Sequence, residues 1–255
     1  MTCRLLLRLG SAPACRVRAV LVLLWACIFV YIEASPDLVE HHVTRLEDDD
    51  DFNVQTALDN IRLLAEHVGD MAPAVVKIMK EHESQYVRQR AVEVFEAMAT
   101  TDAENAGKHV LDLIDALDDE NTYVQQRVIE ALTLMPEAVA PYSHRMTKVY
   151  NSDNKYVRQR LIELYEKWAE TAPKLAERHV TDCIIALEDE DRYVIEHALD
   201  ALRKMPYVAA PYFDYIYALK KHQDGFVRGR ARLLIEFLQM FKGPEPKQQS
   251  GEGEL

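Results

Sequence analysis

The sequence predicts an all-α fold, a right-handed α-solenoid of about six helix pairs, and three observations carry that prediction. The motif YVRQR stands at 86–90 and again at 156–160, with variants at 123–127 (YVQQR), 193–197 (YVIEH) and 226–230 (FVRGR). The valines Val54, Val87, Val124, Val157, Val194 and Val227 are spaced alternately by 33 and 37 residues, so a double unit of 70 recurs. Positions +4, +7 and +11 after each valine are apolar, which is a helical stripe and not a strand alternation. A period of this size marks a stacked repeat, because one helix pair cannot bury its own stripe.

The elements follow in order. Residues 1–34 hold Arg4, Arg8, Arg16 and Arg18 and then 14 uninterrupted apolar residues at 19–32. At 1.5 Å per residue that run spans about 21 Å, short of a hydrocarbon core of about 30 Å. A basic start, an apolar stretch and Ala34 fit a secretory signal peptide cut after Ala34. A retained anchor with its arginines on the cytoplasmic side, or a mitochondrial or plastid import leader, are the alternatives. The expected compartment is the secretory pathway. Any membrane contact is expected only through an uncleaved leader.

The solenoid is expected over 36–242. Its second helices begin at the valine markers. Three residues before each marker stand Asp51, Ser84, Asn121, Asn154, Asp191 and Asp224, all good N-caps. The first helices carry the same stripe: Val110, Leu113, Ile114 and Leu117 match Val180, Cys183, Ile184 and Leu187. Pro141 and Pro211 fall where a helix start tolerates proline. The tail at 243–255 is polar, rich in Pro and Gly, and expected to be disordered.

The motifs ALDDENTYVQQRVIEAL (116–132) and ALEDEDRYVIEHALDAL (186–202) resemble HEAT repeats, above all the short HEAT-like variety also found in phycobilisome lyases. The resemblance implies paired helices and, most often, a scaffold that binds other proteins. It also leaves an enzymatic alternative, lyase-like handling of a chromophore. A HEAT-like di-iron hydroxylase, deoxyhypusine hydroxylase, uses several His-Glu pairs. Here His82-Glu83 is the only one, so no metal ligand is carried over.

The charge excludes some functions. The chain carries −12, and without the basic leader the body holds 26 basic against 41 acidic residues. Such a body repels nucleic acid and favours basic partners. Three of four cysteines lie in the leader, so the body can form neither an internal disulfide nor a cysteine-based zinc site. Cys183 sits on the apolar stripe as a small hydrophobe. No phosphate loop, catalytic triad or metal-ligand spacing appears, and no catalytic residue, metal or cofactor is expected.

The repeated motif is read as a joint between units. Tyr86, Tyr123, Tyr156, Tyr193 and Phe226 stand four residues before Arg90, Arg127, Arg160, His197 and Arg230, so each cation can lie over a ring. Arg88, Arg158 and Arg228 join them, with the acidic turn of one unit expected to reach the arginine of the next. Two surfaces are expected to bind a protein. One is an acidic row on the second helices, Glu93, Glu96, Glu130, Glu163, Glu166 and Asp200, suited to a basic extended segment. The other is the aromatic end, Phe213, Tyr215 and Tyr217.

Overall fold

The computed structural model describes residues 36–240. The leader at 1–34 and the tail at 243–255 lie outside the described residues. Among the described residues every regular element is helical. The longer helices are α1 (Pro36–Arg45), α2 (Asp51–Leu63), α3 (Ala72–Glu81), α4 (Gln85–Thr101), α5 (Val110–Asp115), α6 (Thr122–Thr133), α7 (Lys155–Thr171), α8 (Val180–Ile185), α9 (Arg192–Lys204), α10 (Phe213–Ala218) and α11 (Gly225–Gln239). The second helices α2, α4, α6, α7, α9 and α11 pack in that order, each on the next.

The marker valines explain this stacking. All six are buried, as are the residues at +4 and +7 in every unit. Burying one such side chain stabilises by roughly 1.5–3 kcal/mol, so the stripe dominates the fold. Position +5 is apolar and buried as well in the four interior units. Val92, Ile129, Ile162 and Leu199, at +5, are at most 2% exposed. Trp168, Tyr165 and Phe95 are the largest fully buried side chains. Cys183 is buried too, and burial pushes its thiol up, so it stays a neutral core residue.

The caps hold with two corrections. Asp50, Ser84, Asn121, Asn154, Asp191 and Asp224 precede the second helices with φ between −96° and −75° and ψ between 112° and 128°. In the first unit the cap is Asp50, not Asp51: Asp51 is already helical, and the Asp50 carboxylate accepts the Phe52 amide at 2.9 Å. Ser84 stands at its cap position, but its hydroxyl takes no amide of the first turn.

The first helices are less regular than the stripe suggests. In the last four units they open with short turns, at Ala103–Gly107, Pro136–Val139, Pro173–Ala176 and Pro206–Ala209. Residues Ala140–Asn151 form a 3-10 helix with Pro141 at its start, and Pro211 likewise opens a 3-10 turn. Proline at an opening position removes an amide that would have no acceptor anyway. Gly107 permits close approach, since a Cβ there would lie 3.0 Å from that of Ala138.

Candidate functional site

The joint between units is built by the arginine one residue after the marker valine. Arg88 holds Asp119 through Nε at 2.7 Å and Nη2 at 3.0 Å, while Nη1 donates to the carbonyls of His82 and Glu83 at 2.8 and 2.9 Å. Arg158 repeats this with Asp189 at 2.8 and 2.9 Å and with the carbonyls of Ser152 and Asp153. Both arginines are buried. Hydrogen bonds donated to Asp119 and Asp189 raise the guanidinium pKa values against the opposing effect of burial. The joint runs opposite to the sequence expectation: the arginine of one unit reaches the acidic turn of the following unit.

A second ladder runs beside it. Cations at +3 face backward onto acids of the preceding helix. Arg127 lies 3.7 Å from Glu93 and 2.8 Å from Glu130. Arg160 lies 3.4 Å from Glu130 and 2.7 Å from Glu163. His197 bridges Glu163 and Glu166 at 3.1 and 2.8 Å, and Arg230 joins Glu196 and Asp200 at 2.8 and 3.0 Å. At the start of the row Arg90 meets Asp59 and Glu93. Burial works against the charge on His197, but the hydrogen bonds it donates to the two glutamates lift its pKa to about 9. Burial likewise works against Glu163, and His197, Gln159 and Arg160 together hold it at about 2.

The expected acidic row therefore exists as half of a mixed-charge ribbon. Glu93, Glu130, Glu163, Glu166 and Asp200 each hold a cation of this chain. Glu93 is only 7% exposed. Glu96 is the member without an ion pair, and burial followed by the charges of Glu130 and Glu93 raises its pKa.

The rings are not stacked on the +3 cations as expected. Arg90, Arg127, Arg160, His197 and Arg230 go to carboxylates instead, because a charge-assisted hydrogen bond outweighs contact with a ring face. The ring contacts that form are between neighbours: Lys155 over Tyr156 at 5.3 Å, and Arg192 over Tyr193 and Phe226 at 4.6 and 5.8 Å. Tyr86, Tyr123, Tyr156, Tyr193 and Phe226 are left exposed, and Phe52 belongs with them. Each is the second residue after its N-cap, and in five of the six the cap side chain accepts that residue's own amide. The cap thus fixes one aromatic per unit at the mouth of each second helix. Positions −1, +3 and +6 fall within a sector of about 60° at 3.6 residues per turn, so Tyr86, Tyr123, Tyr156, Tyr193 and Phe226 share one side of the stack with the ribbon.

At the far end, Phe213 packs against the core, whereas Tyr215 and Tyr217 are exposed. Lys220 lies 4.6 Å over the Tyr217 ring. This pair belongs to a first helix, apart from the row on the second helices.

One group was missed by sequence reasoning. Asp182 Oδ2 accepts from Thr147 at 3.0 Å and from Tyr165 at 3.2 Å, and lies 2.9 Å from His179 Nδ1. The Tyr165 and His179 rings stack at 4.4 Å. The four residues come from four helical elements, which is why no local motif announces them. The exposed ring row did have a signal, the aromatic two places after every cap. Among the described residues no His, Cys, Asp and Glu group has the geometry of a metal site.

Ordered helix pairs with charged joints define an α-solenoid. Residues 72–166 match the family model for HEAT repeats, and the described residues have the fold of a HEAT-like α-solenoid. No curated protein matches the sequence. Among solved structures, an engineered protein is similar over 79% of this chain and 96% of its own, at 17% identity and a TM-score of 0.56. The archaeal HEAT-like repeats protein of Thermococcus onnurineus NA1 is similar over 81% of this chain and 89% of its own, at 12% identity and a TM-score of 0.55. A chain from a structure of microtubule plus-end tracking by XMAP215, CLIP-170 and EB1 covers 76% of this chain and 88% of its own, at 14% identity and a TM-score of 0.53. At these identities the likeness concerns the fold alone.

Proposed function

We propose that the protein is a binding scaffold, not an enzyme, and that it takes a protein partner across the second-helix side of the solenoid. HEAT-repeat solenoids commonly mediate protein–protein interaction. The observation that carries the finer reading is the row Phe52, Tyr86, Tyr123, Tyr156, Tyr193 and Phe226, one ring per unit, each 45–73% exposed. Exposed aromatics with few rotatable bonds are the usual anchors of an interface. The mixed-charge ribbon beside them supplies polar groups that fix the register of the partner. Its carboxylates are already neutralised, so a strongly basic segment gains less there than formal charge suggests. Glu96, the member without an ion pair, already lies beside Arg62, Arg90 and Arg127.

The test is affinity capture with the wild type and with a Tyr86→Ala/Tyr123→Ala/Tyr156→Ala variant. Partners held by the wild type are expected to be lost from the variant, with its thermal melt unchanged. Equal capture by both would overturn the aromatic row. A Glu93→Lys/Glu130→Lys/Glu163→Lys variant separates the surfaces: loss only there would return the reading to the acids. In the same proposal residues 1–34 direct the protein to the secretory pathway, and N-terminal sequencing of the native protein tests for a cut after Ala34.

A further inference from the structure

The interior joint is built twice to one pattern, and each end of the described array carries one half of it. In the pattern, an arginine after the marker valine holds two carbonyls of its own turn and an aspartate of the following unit. That aspartate stands two residues before the next N-cap, and its Oδ1 also accepts the cap residue's amide. Asp119 takes the Asn121 amide at 2.8 Å and Asp189 takes that of Asp191 at 2.8 Å.

Arg228 is the third arginine of the series, 70 residues after Arg158. Its Nη1 donates to the carbonyls of His222 and Gln223 at 2.7 and 2.8 Å, as in the interior joints. No unit follows among the described residues, and Arg228 holds no carboxylate. At the opposite end, Asp48 stands two residues before the cap Asp50 and takes its amide at 2.9 Å. Relative to its cap it is placed as Asp119 and Asp189 are, but among the described residues no arginine forms an ion pair with it. Asn53 fills the place instead, at 3.2 Å. The parity is also right. Arginines belong to the units of Val87, Val157 and Val227, and joint aspartates to those of Val124, Val194 and Val54.

We infer that a second copy of this chain docks head to tail, Arg228 of one copy taking Asp48 of the next. The wider charge agrees. Exposed Glu47, Asp49 and Asp51 surround Asp48, while Lys220, Lys221 and Arg232 are exposed at the other end. A contact of this kind is heterologous, so it extends into open chains unless the rotation closes a ring.

The end joint is weaker than the interior ones. Position +5, apolar and buried in the four interior units, is the exposed Arg232 in the last. Without that apolar contact, association is reversible and depends on ionic strength.

Sedimentation velocity of the full chain tests this. The mass of the wild type is expected to rise with concentration in low salt and to fall back in high salt. Arg228→Asp and Asp48→Arg, each alone, place like charges across the joint and should weaken association about tenfold or more. An equimolar mixture of the two restores both joints and should associate as the wild type does, which a misfolded variant could not. A wild type monomeric throughout the range overturns the inference. So does association that either single variant leaves unchanged, which would assign it to another surface, and so does a mixture that stays apart.

Discussion

The two copies of the 70-residue double unit share a backbone and differ in where one carboxylate points. In the first copy Asp112 turns outward to Lys80 at 2.6 Å, and Phe95 fills the core beside His109. In the second copy Tyr150 stands where Lys80 stood and bonds Asp189 instead. Asp182, the counterpart of Asp112, turns inward to His179, Thr147 and Tyr165. Loss of one surface cation thus accompanies a buried polar network where the other copy is apolar. Repeat position sets the backbone, and the neighbours available decide the side chain.

The comparison can be broken most strongly at the carboxylate. Asp182→Ala leaves the buried Tyr165 hydroxyl and the His179 ring without an acceptor and should cost about 3 kcal/mol. Asp112→Ala removes a half-exposed pair and should cost less than about 1 kcal/mol. Urea unfolding of both variants measures the difference, and equal losses would abolish the distinction drawn here.

The shared joint should behave alike in both copies. Arg88→Ala and Arg158→Ala each strand a buried aspartate, and each should cost about 2–3 kcal/mol. Midpoints differing by more than the error between them would show that the copies are not equivalent. Arg228→Ala strands no acid and should cost less than either.

Tyr165→Phe turns the second copy toward the first, which has Phe95 there. It removes one hydrogen bond and should cost about 1 kcal/mol. A loss as large as that of Asp182→Ala would place the tyrosine, not the carboxylate, at the centre of the network.

The smallest difference is one of pH. His197 stands where the first copy has Arg127, so at this place in the ribbon only the second copy carries a histidine. Its folded pKa of about 9 lies above the unfolded 6.5. Its stabilisation is therefore complete below pH 6.5 and is lost as pH rises through 9. Glu163, held at about 2 from 4.5, stabilises above pH 4.5 and loses this as pH falls toward 2. After discounting for solvent screening, His197 contributes on the order of 1 kcal/mol. The stability gap between the wild type and His197→Gln should be constant from pH 5 to about 6.5 and close by about pH 9. A gap that widens with pH would reverse the sign.

Much of this was legible in order of residues. Val87 and Val157 mark the core because helical periodicity survives in one dimension, and Asn121 and Asp224 cap because a cap is local. Arg88 was legible as a joint residue, but the direction of its reach was not, since the turns before and after it are equally acidic. The ring on Arg90 was misread for a related reason: spacing showed that Tyr86 lay within reach, and the nearer claim of Glu93 and Asp59 came from packing.

The sequence by itself determined the period, the helix pairs, four of the six caps and the buried stripe, because each rests on contacts within a few residues or on a repeat that can be counted. Tertiary structure alone decided which charges neutralise one another and which rings remain outside. It also decided that Asp182 faces inward and that the two ends carry complementary halves of one joint. Those outcomes are set by competition among partners some 30 residues apart, and distance along the chain does not rank such partners; distance in space does.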